Sequence, residues 1–190
     1  MQHSYKNNQK LVNDLKINKK EVEDLIFKKT ALKNVEITNS KLIGLEIIDS
    51  MLEICNFSNT KFKYLSLKQS KIKSSKTTGA DFEEGVFENS KFENCKLDLT
   101  NFRLSNVKNT IFKNCDIKKS DWGRAKLKNV SFLNCDISNV DFSQAKFKNI
   151  DLRHSILQDV KIDLDNLTEI TISPSQIIFI ANILGINIKN

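Results

Sequence analysis

The chain places its large apolar residues on a beat of five. Stepping by five from Phe27 to Ile172 visits thirty positions, of which twenty-nine are apolar and Thr77 is the exception. A helix turns every 3.6 residues and a strand alternates every two, so neither keeps one face in register with a step of five. A short extended piece followed by a tight turn does, with one large side chain per unit facing inward. The position two before each large residue fits the same unit, because residues i and i−2 of an extended piece share a face. From Ser90 to Ala145 that position holds only Ser, Thr, Cys, Val or Ala. Cys55, Cys95, Cys115 and Cys135 all fall there, which gives the thiols a packing role as small hydrophobes.

A longer period lies over the first. From Phe92 to Phe142 the large residues alternate aromatic and aliphatic without error. The series Cys95–Cys115–Cys135 recurs at twenty, as do Asn89, Asn109, Asn129 and Asn149, and also Asn94, Asn114 and Asn134. Twenty residues are four units, which predicts a square coil with aromatics on two opposite walls. Successive coils would pair like strands about 4.8 Å apart, turning each asparagine series into a ladder. Asparagine suits such corners because its amide bonds local backbone and tolerates turn conformations.

The units "CDISN", "VDFSQ" and "SDWGR", with the looser "SKFEN" and "TIFKN", resemble the pentapeptide-repeat family, whose units read Ala-Asp/Asn-Leu-X-X. The resemblance covers residues 27–172 and implies an all-β fold, a right-handed quadrilateral β-helix. It divides the chain into an N-terminal segment and cap (1–26), the β-helix (27–172), and a C-terminal capping and dimerisation helix with a short strand (173–190).

A stack of coils exposes unpaired backbone at both ends and needs caps. In "NKKEVEDLIFKK" the pair Asn18 and Glu21 precedes apolar Val22, Leu25 and Ile26, which fits a short helix or an irregular first coil. In "SPSQIIFIANILGINIKN", Ser173 is a candidate N-cap, Pro174 sits in the first turn, and Gln176 completes a capping box. Gly185 is placed to stop the helix, and Ile186 and Ile188 then alternate as a strand does. A helix apolar nearly all round needs cover on both sides. One side closes the last coil. The other predicts an end-to-end, two-fold homodimer through Ile178, Phe179, Ile183, Leu184, Ile186 and Ile188, a monomer with an exposed apolar end being the alternative.

A chain of 190 residues suits one domain. "MQHSYKNNQK" has no apolar core of a signal peptide, and no run approaches the roughly 18 apolar residues of a membrane span. Cytoplasmic residence, no membrane association and reduced cysteines are expected. His3 and His154 are far apart with no ligand-spaced neighbours, and stacked cysteines point in parallel rather than converging on a tetrahedral centre. There is no glycine-rich phosphate loop, nucleophile elbow or H-E-x-x-H, and a filled interior leaves no cleft. No enzyme activity, metal or cofactor is expected, so function must sit on the exterior.

Net charge is +7; residues 1–80 carry 15 basic and 8 acidic side chains, residues 81–190 carry 15 of each. A basic half attracts anionic partners. Lys108, Lys128 and Lys148, joined by Lys126 and Lys146, form one candidate partner surface. Lysine without interleaved exposed aromatics or arginine argues against specific nucleic-acid readout, so direct nucleic-acid binding is not expected. The unbroken rod ending in "NILGINI" resembles the Qnr-type quinolone-resistance branch of the family. That resemblance implies a dimeric rod that binds DNA gyrase or topoisomerase IV and relieves drug-trapped complexes, partly by imitating the shape and charge of duplex DNA. Its counterparts here are the acidic rungs Asp121, Asp141, Asp151, Asp159, Asp163 and Asp165, and the terminal helix. The positive net charge departs from that pattern. A scaffold for another protein partner, or a nucleic-acid surface built on the lysines of residues 61–76 and 108–148, are the alternatives.

Overall fold

The structure is a computed structural model that describes residues 10–186. Short strands follow one another along the chain, and each lies against the strand twenty residues on. Lys10–Asn13 pairs with Thr30–Lys33, which pairs with Met51–Glu53. At the far end Lys126–Leu133 pairs with Lys146–Asp151. Each of these pairings is parallel, and the result is a β-solenoid of about eight turns. We number its walls by their inward columns: first (Phe92, Phe112, Phe132), second (Leu97, Ile117, Ile137), third (Phe102, Trp122, Phe142) and fourth (Val107, Leu127, Phe147).

The solenoid starts earlier than residue 27. Lys16–Asn18, Glu21–Glu23 and Ile26–Lys28 are strands, paired in parallel with Glu36–Thr38, Lys41–Ile43 and Glu46–Ile48. "NKKEVEDLIFKK" is therefore a regular coil, and Asn18 with Glu21 caps no helix. Val12, Ile17 and Val22 continue the five-residue beat upstream of Phe27. The backbone of the next coil supplies ladder partners that an isolated short helix would have to find within itself. These inward side chains are only half-buried, because the first described coil has a neighbour on one side.

Inside, the expected wall-to-wall alternation holds. The rings of Phe92, Phe112 and Phe132 stack at 4.8 and 5.0 Å, and Phe102 stacks on Trp122 at 4.0 Å. The two columns meet edge to face, Phe112 against Trp122 at 5.7 Å and 88°. Such pairs add about 0.5–1.5 kcal/mol beyond area burial. Thr77, the one polar residue on the beat, is buried and borders an apolar void of about 30 Å³ together with Phe57, Phe82 and Phe92. The void lies where a larger side chain is missing.

The small slot has a second requirement beyond size. Its backbone N–H points into the corner and needs a partner. Ser50 N–H donates to the Ser70 hydroxyl and Ser70 N–H to the Ser90 hydroxyl, at 3.1 and 3.2 Å. Where the turn closes on itself, as in Ala125 N–H to Trp122 C=O at 3.0 Å, the N–H is already satisfied and alanine suffices.

Position two after each large residue takes left-handed backbone along the whole solenoid, including Asn89 (φ 51°), Asn109 (φ 49°) and Asn129 (φ 53°). The asparagine ladders form as the spacing predicts: Asn109, Asn129 and Asn149 each donate from Nδ2 to the preceding Oδ1 at 3.0, 2.9 and 3.1 Å. In the other column Asn114 and Asn134 do the same at 3.2 and 3.4 Å. Ile54 interrupts that column with φ 55°, a conformation that costs a non-glycine residue about 1–2 kcal/mol and a β-branched one most. Its side chain is 54% exposed, so little packing offsets the strain. Ile54→Asn is expected to stabilise the protein by about 1 kcal/mol, read as a higher urea midpoint at unchanged slope. An unchanged or lower midpoint would remove the strain argument.

The regular coil ends after Val160. Leu164–Glu169 forms a 3-10 helix, a two-residue strand Ile170–Thr171 pairs with Ile150–Asp151, and Pro174–Gln176 forms a second 3-10 turn carrying the expected capping box. The α-helix proper spans Ile177–Ile183. Gly185 (φ 70°) stops it, with Gly185 N–H bonded to Asn182 C=O and Ile186 N–H to Ala181 C=O at 3.1 and 2.9 Å, a Schellman arrangement. The strand expected at Ile186 and Ile188 extends outside the described residues.

Candidate interaction surfaces

The acidic candidates do not share a face. Asp121 and Asp141 are in-register neighbours on the third wall, whereas Asp151 lies on the first wall and Asp159 at the corner of the second. Most of them also have structural work. The Asp121 carboxylate accepts Gly123 N–H at 2.8 Å and pairs with Arg103 at 3.2 Å. A Cβ on Gly123 would come within 2.6 Å of the Arg103 guanidinium, so a side chain there would push that flexible arm off the Asp121 carboxylate. Asp141 accepts Ser143 N–H at 2.8 Å and pairs with Lys161 at 3.5 Å. Asp151 accepts Arg153 N–H at 3.0 Å and meets its guanidinium at 2.7 Å.

These contacts move the carboxyl pKa values. The Arg153 side chain holds the Asp151 carboxyl below its usual value, against the opposing effect of burial. Burial pushes the Asp141 carboxyl up, but bonds from Ser143 and the charge of Lys161 outweigh it, and the net shift is downward. A lowered folded value means stability that is fully present above the ordinary Asp value of 3.8 and fades as pH falls through the folded value. Asp141→Asn is expected to lower Tm by roughly 2 °C at neutral pH, with the gap to wild type closing in acid. A gap that stays constant down to strongly acidic pH would show that the charge is not what matters.

Asp163 and Glu169 close the end of the rod. In regular coils a corner N–H donates to a backbone carbonyl of the next coil, as Asn109 N–H does to Lys128 C=O at 2.9 Å. On the last coil side chains take over: Gln144 N–H donates to the Asp163 carboxylate at 2.7 Å, Asn149 N–H to Glu169 at 3.0 Å, and His154 N–H to the Ser173 hydroxyl at 3.4 Å. The Asn166 amide accepts from Phe147 N–H and donates to Ala145 C=O, both at 3.1 Å, reproducing the two bonds of a missing peptide. Asp165 has an exposed side chain beside this cap. Spacing alone could not find the cap residues, because they act where the repeat has stopped.

The basic candidates do converge. Lys108, Lys128 and Lys148 stack in register on the fourth wall, and Lys126 pairs in register with Lys146.

On the terminal helix Ile178 and Leu184 are more than half exposed, as is Ile186 just beyond it, while Phe179 packs partly against the core. Ile178, Phe179 and Ile183 line an open groove against Leu157, Asp159 and Val160 of the last full coil. Ile177, also exposed at 59%, adds to the apolar surface. Ile188 is outside the described residues.

The cysteines are buried and free. Burial pushes the Cys55 thiol up. Hydrogen bonding with its neighbour Cys115, then burial, pushes Cys95 up, and bonding with Cys135 pushes Cys115 up to about 12. These three thiols carry almost no thiolate at neutral pH and are poor nucleophiles, whereas bonding with Cys115 pulls the Cys135 thiol down. Among the described residues no cluster of His, Cys, Asp and Glu is arranged to hold a metal, and no helix is long and apolar enough to cross a membrane.

With a parallel coil of five-residue units in place, the class is a repeat protein built as a β-solenoid. Residues 45–122 and 85–167 match the profile of the pentapeptide repeat region, and the chain belongs to the pentapeptide-repeat family. Among solved structures it is similar to full-length QnrB1, a plasmid-mediated fluoroquinolone resistance protein, at 18% identity over 89% of this chain and 99% of that one, with a TM-score of 0.47. It is also similar to HetL of the cyanobacterium Nostoc sp. strain PCC 7120, a pentapeptide repeat protein involved in heterocyst differentiation regulation, at 10% identity over 83% and 87% of the two chains, with a TM-score of 0.32. A comparison with curated protein sequences finds no match.

Proposed function

We propose that the protein is a non-enzymatic, dimeric docking rod that acts on a partner macromolecule through its outer walls, with DNA gyrase or topoisomerase IV as the partner. The observation that carries the docking reading is the contrast between a filled interior and an uncovered end. The coil interior is filled by apolar side chains, while Ile177, Ile178, Leu184 and Ile186 are each more than half exposed. Apolar area of this kind at the tip of a rod is best covered by a second copy, related by a two-fold axis that brings the same helix face to itself. The choice of topoisomerase follows the sequence resemblance to the Qnr-type branch. The charge distribution supports it in one respect: residues 81–190 carry fifteen bases and fifteen acids, six of those bases lie within residues 104–109, 124–129 and 144–149, which hold no acid, and nine bases are left against fifteen acids elsewhere in that half. A scaffold for a different protein is the second reading, favoured by the commitment of Asp121, Asp141, Asp151 and Asp163 to turns, ion pairs and the cap.

Two measurements separate these. Light scattering should give twice the chain mass, falling to the monomer for Ile178→Glu/Leu184→Glu; a monomeric wild type ends the dimer reading. A gyrase supercoiling assay with a fluoroquinolone should show restored supercoiling on adding the protein. No restoration at micromolar protein leaves the scaffold reading in place of the topoisomerase one.

A further inference from the structure

Three consecutive rungs of the fourth wall, with their corners, read LSNVKN at 104–109, RAKLKN at 124–129 and QAKFKN at 144–149. They hold six bases and no acid. The parallel register sets Lys108, Lys128 and Lys148 in one row and Lys126 beside Lys146. All five lysines are exposed, and none joins an ion pair among the described residues, although pairs are common elsewhere, such as Lys61 with Asp81 at 3.2 Å and Lys71 with Glu93 at 3.2 Å. Arg124 closes one edge, its Nε held by the Gln144 amide oxygen at 2.8 Å. The asparagine ladder closes the other, and each Nδ2 that donates to the preceding amide oxygen keeps a second N–H for a ligand. The nearest acids bracket the patch: Glu88 lies one rung before Lys108, and Asp163 and Glu169 are engaged with Gln144 N–H and Asn149 N–H.

Like charges at strand spacing repel, so this wall is destabilised by its own composition unless an anion covers it. The surface is a sheet face of in-register parallel rungs, which suits a repeated anion better than a single one. Three rungs span about 10 Å. A DNA duplex presents one phosphate charge per roughly 1.7 Å of axis, hence about six over that length. An extended acidic peptide, at about 3.3 Å per residue, presents half as many. We infer that the fourth wall is a nucleic-acid contact that grips the phosphate backbone without reading bases. The expectation against nucleic-acid binding rested on the absence of exposed aromatics and of arginine forks, which bear on base readout; phosphate contacts position a nucleic acid without them. The inference stands apart from the topoisomerase reading, since it requires DNA and this chain only.

The test is fluorescence anisotropy of a labelled, random-sequence DNA duplex titrated with wild type, with Lys108→Gln/Lys128→Gln/Lys148→Gln, and with a charge-matched control on the first wall, Lys33→Gln/Lys73→Gln/Lys113→Gln. Wild type should bind at micromolar concentration in low salt, with log K falling against log salt at a slope of about −4 to −5. The fourth-wall triple should bind at least about tenfold more weakly, with a slope shallower by about three, and the first-wall triple should match wild type. Lysine acetylation of the wild-type complex, mapped by mass spectrometry, should find Lys126, Lys128, Lys146 and Lys148 protected by the duplex. No binding in low salt, equal weakening by the two triples, or polyglutamate displacing the duplex at equal charge would overturn the inference, the last in favour of an acidic protein surface.

Discussion

Trp122→Ala is expected to lower the unfolding free energy by about 3–5 kcal/mol. Trp122 is the chain's one tryptophan and is fully buried. Its ring lies flat on Phe102 at 4.0 Å and presents edges to Phe112 and Phe132 at 5.7 and 5.6 Å. Alanine leaves a hole in the middle of two aromatic columns whose rings are fixed by the ladders of their own coils, so collapse into the space is limited. Its indole N–H also donates to the Ser120 hydroxyl at 2.8 Å. Trp122→Phe keeps the stack and loses that bond and part of the volume, and about 1–2 kcal/mol is expected. In a solenoid each coil contacts only its neighbours, so the alanine variant should unfold over a broader denaturant range as the halves uncouple. A loss under about 1 kcal/mol in urea titration would contradict the stacked core.

Gln176→Ala is expected to cost about 2–3 kcal/mol and to loosen one end of the rod selectively. The Gln176 oxygen accepts from Ser173 N–H and the Ser173 hydroxyl, both at 2.7 Å. Its Nε2 donates to Leu152 and Ser155 C=O at 2.9 and 2.7 Å. Alanine leaves those two carbonyls without this donor at the base of the last coil. Amide hydrogen exchange should accelerate in residues 150–173 and remain slow near Phe112. Gln176→Glu is a sharper probe. At neutral pH it sets a carboxylate oxygen against two carbonyls and should be at least as harmful as alanine, whereas protonation in acid restores one donor. Exchange that quickens uniformly along the rod would mean that the end is not a separate unit.

The cap residues also mark where the sequence stops being legible. The five-residue beat, the four-unit coil, the paired aromatic walls, the asparagine ladders and the cysteine slot all follow from periodicity, because each coil repeats one set of bonds and the bonds repeat their residues. Three things did not follow. The N-terminal coil looked non-repeating because Lys10 and Lys20 hold the small slot; pairing with the next coil makes a strand there regardless. Asp163 read as a free surface acid, although its carboxylate replaces a backbone carbonyl at a corner of the last coil. The acidic candidates read as open rungs, although most are held in turns, ion pairs or the cap.

A repeat of five with a superperiod of twenty admits one economical packing, so sequence alone determined the solenoid, its inward columns and the apolar character of the terminal helix. Which outward residues become neighbours is set by register between coils, and which polar atoms are already satisfied is set by what lies above and below them. Those are relations between segments distant in the chain. Only the tertiary structure could therefore show that the lysines of the fourth wall stay out of ion pairs among the described residues, commit the aspartates to turns and ion pairs, and seal the last coil with side chains in place of a ninth turn of backbone.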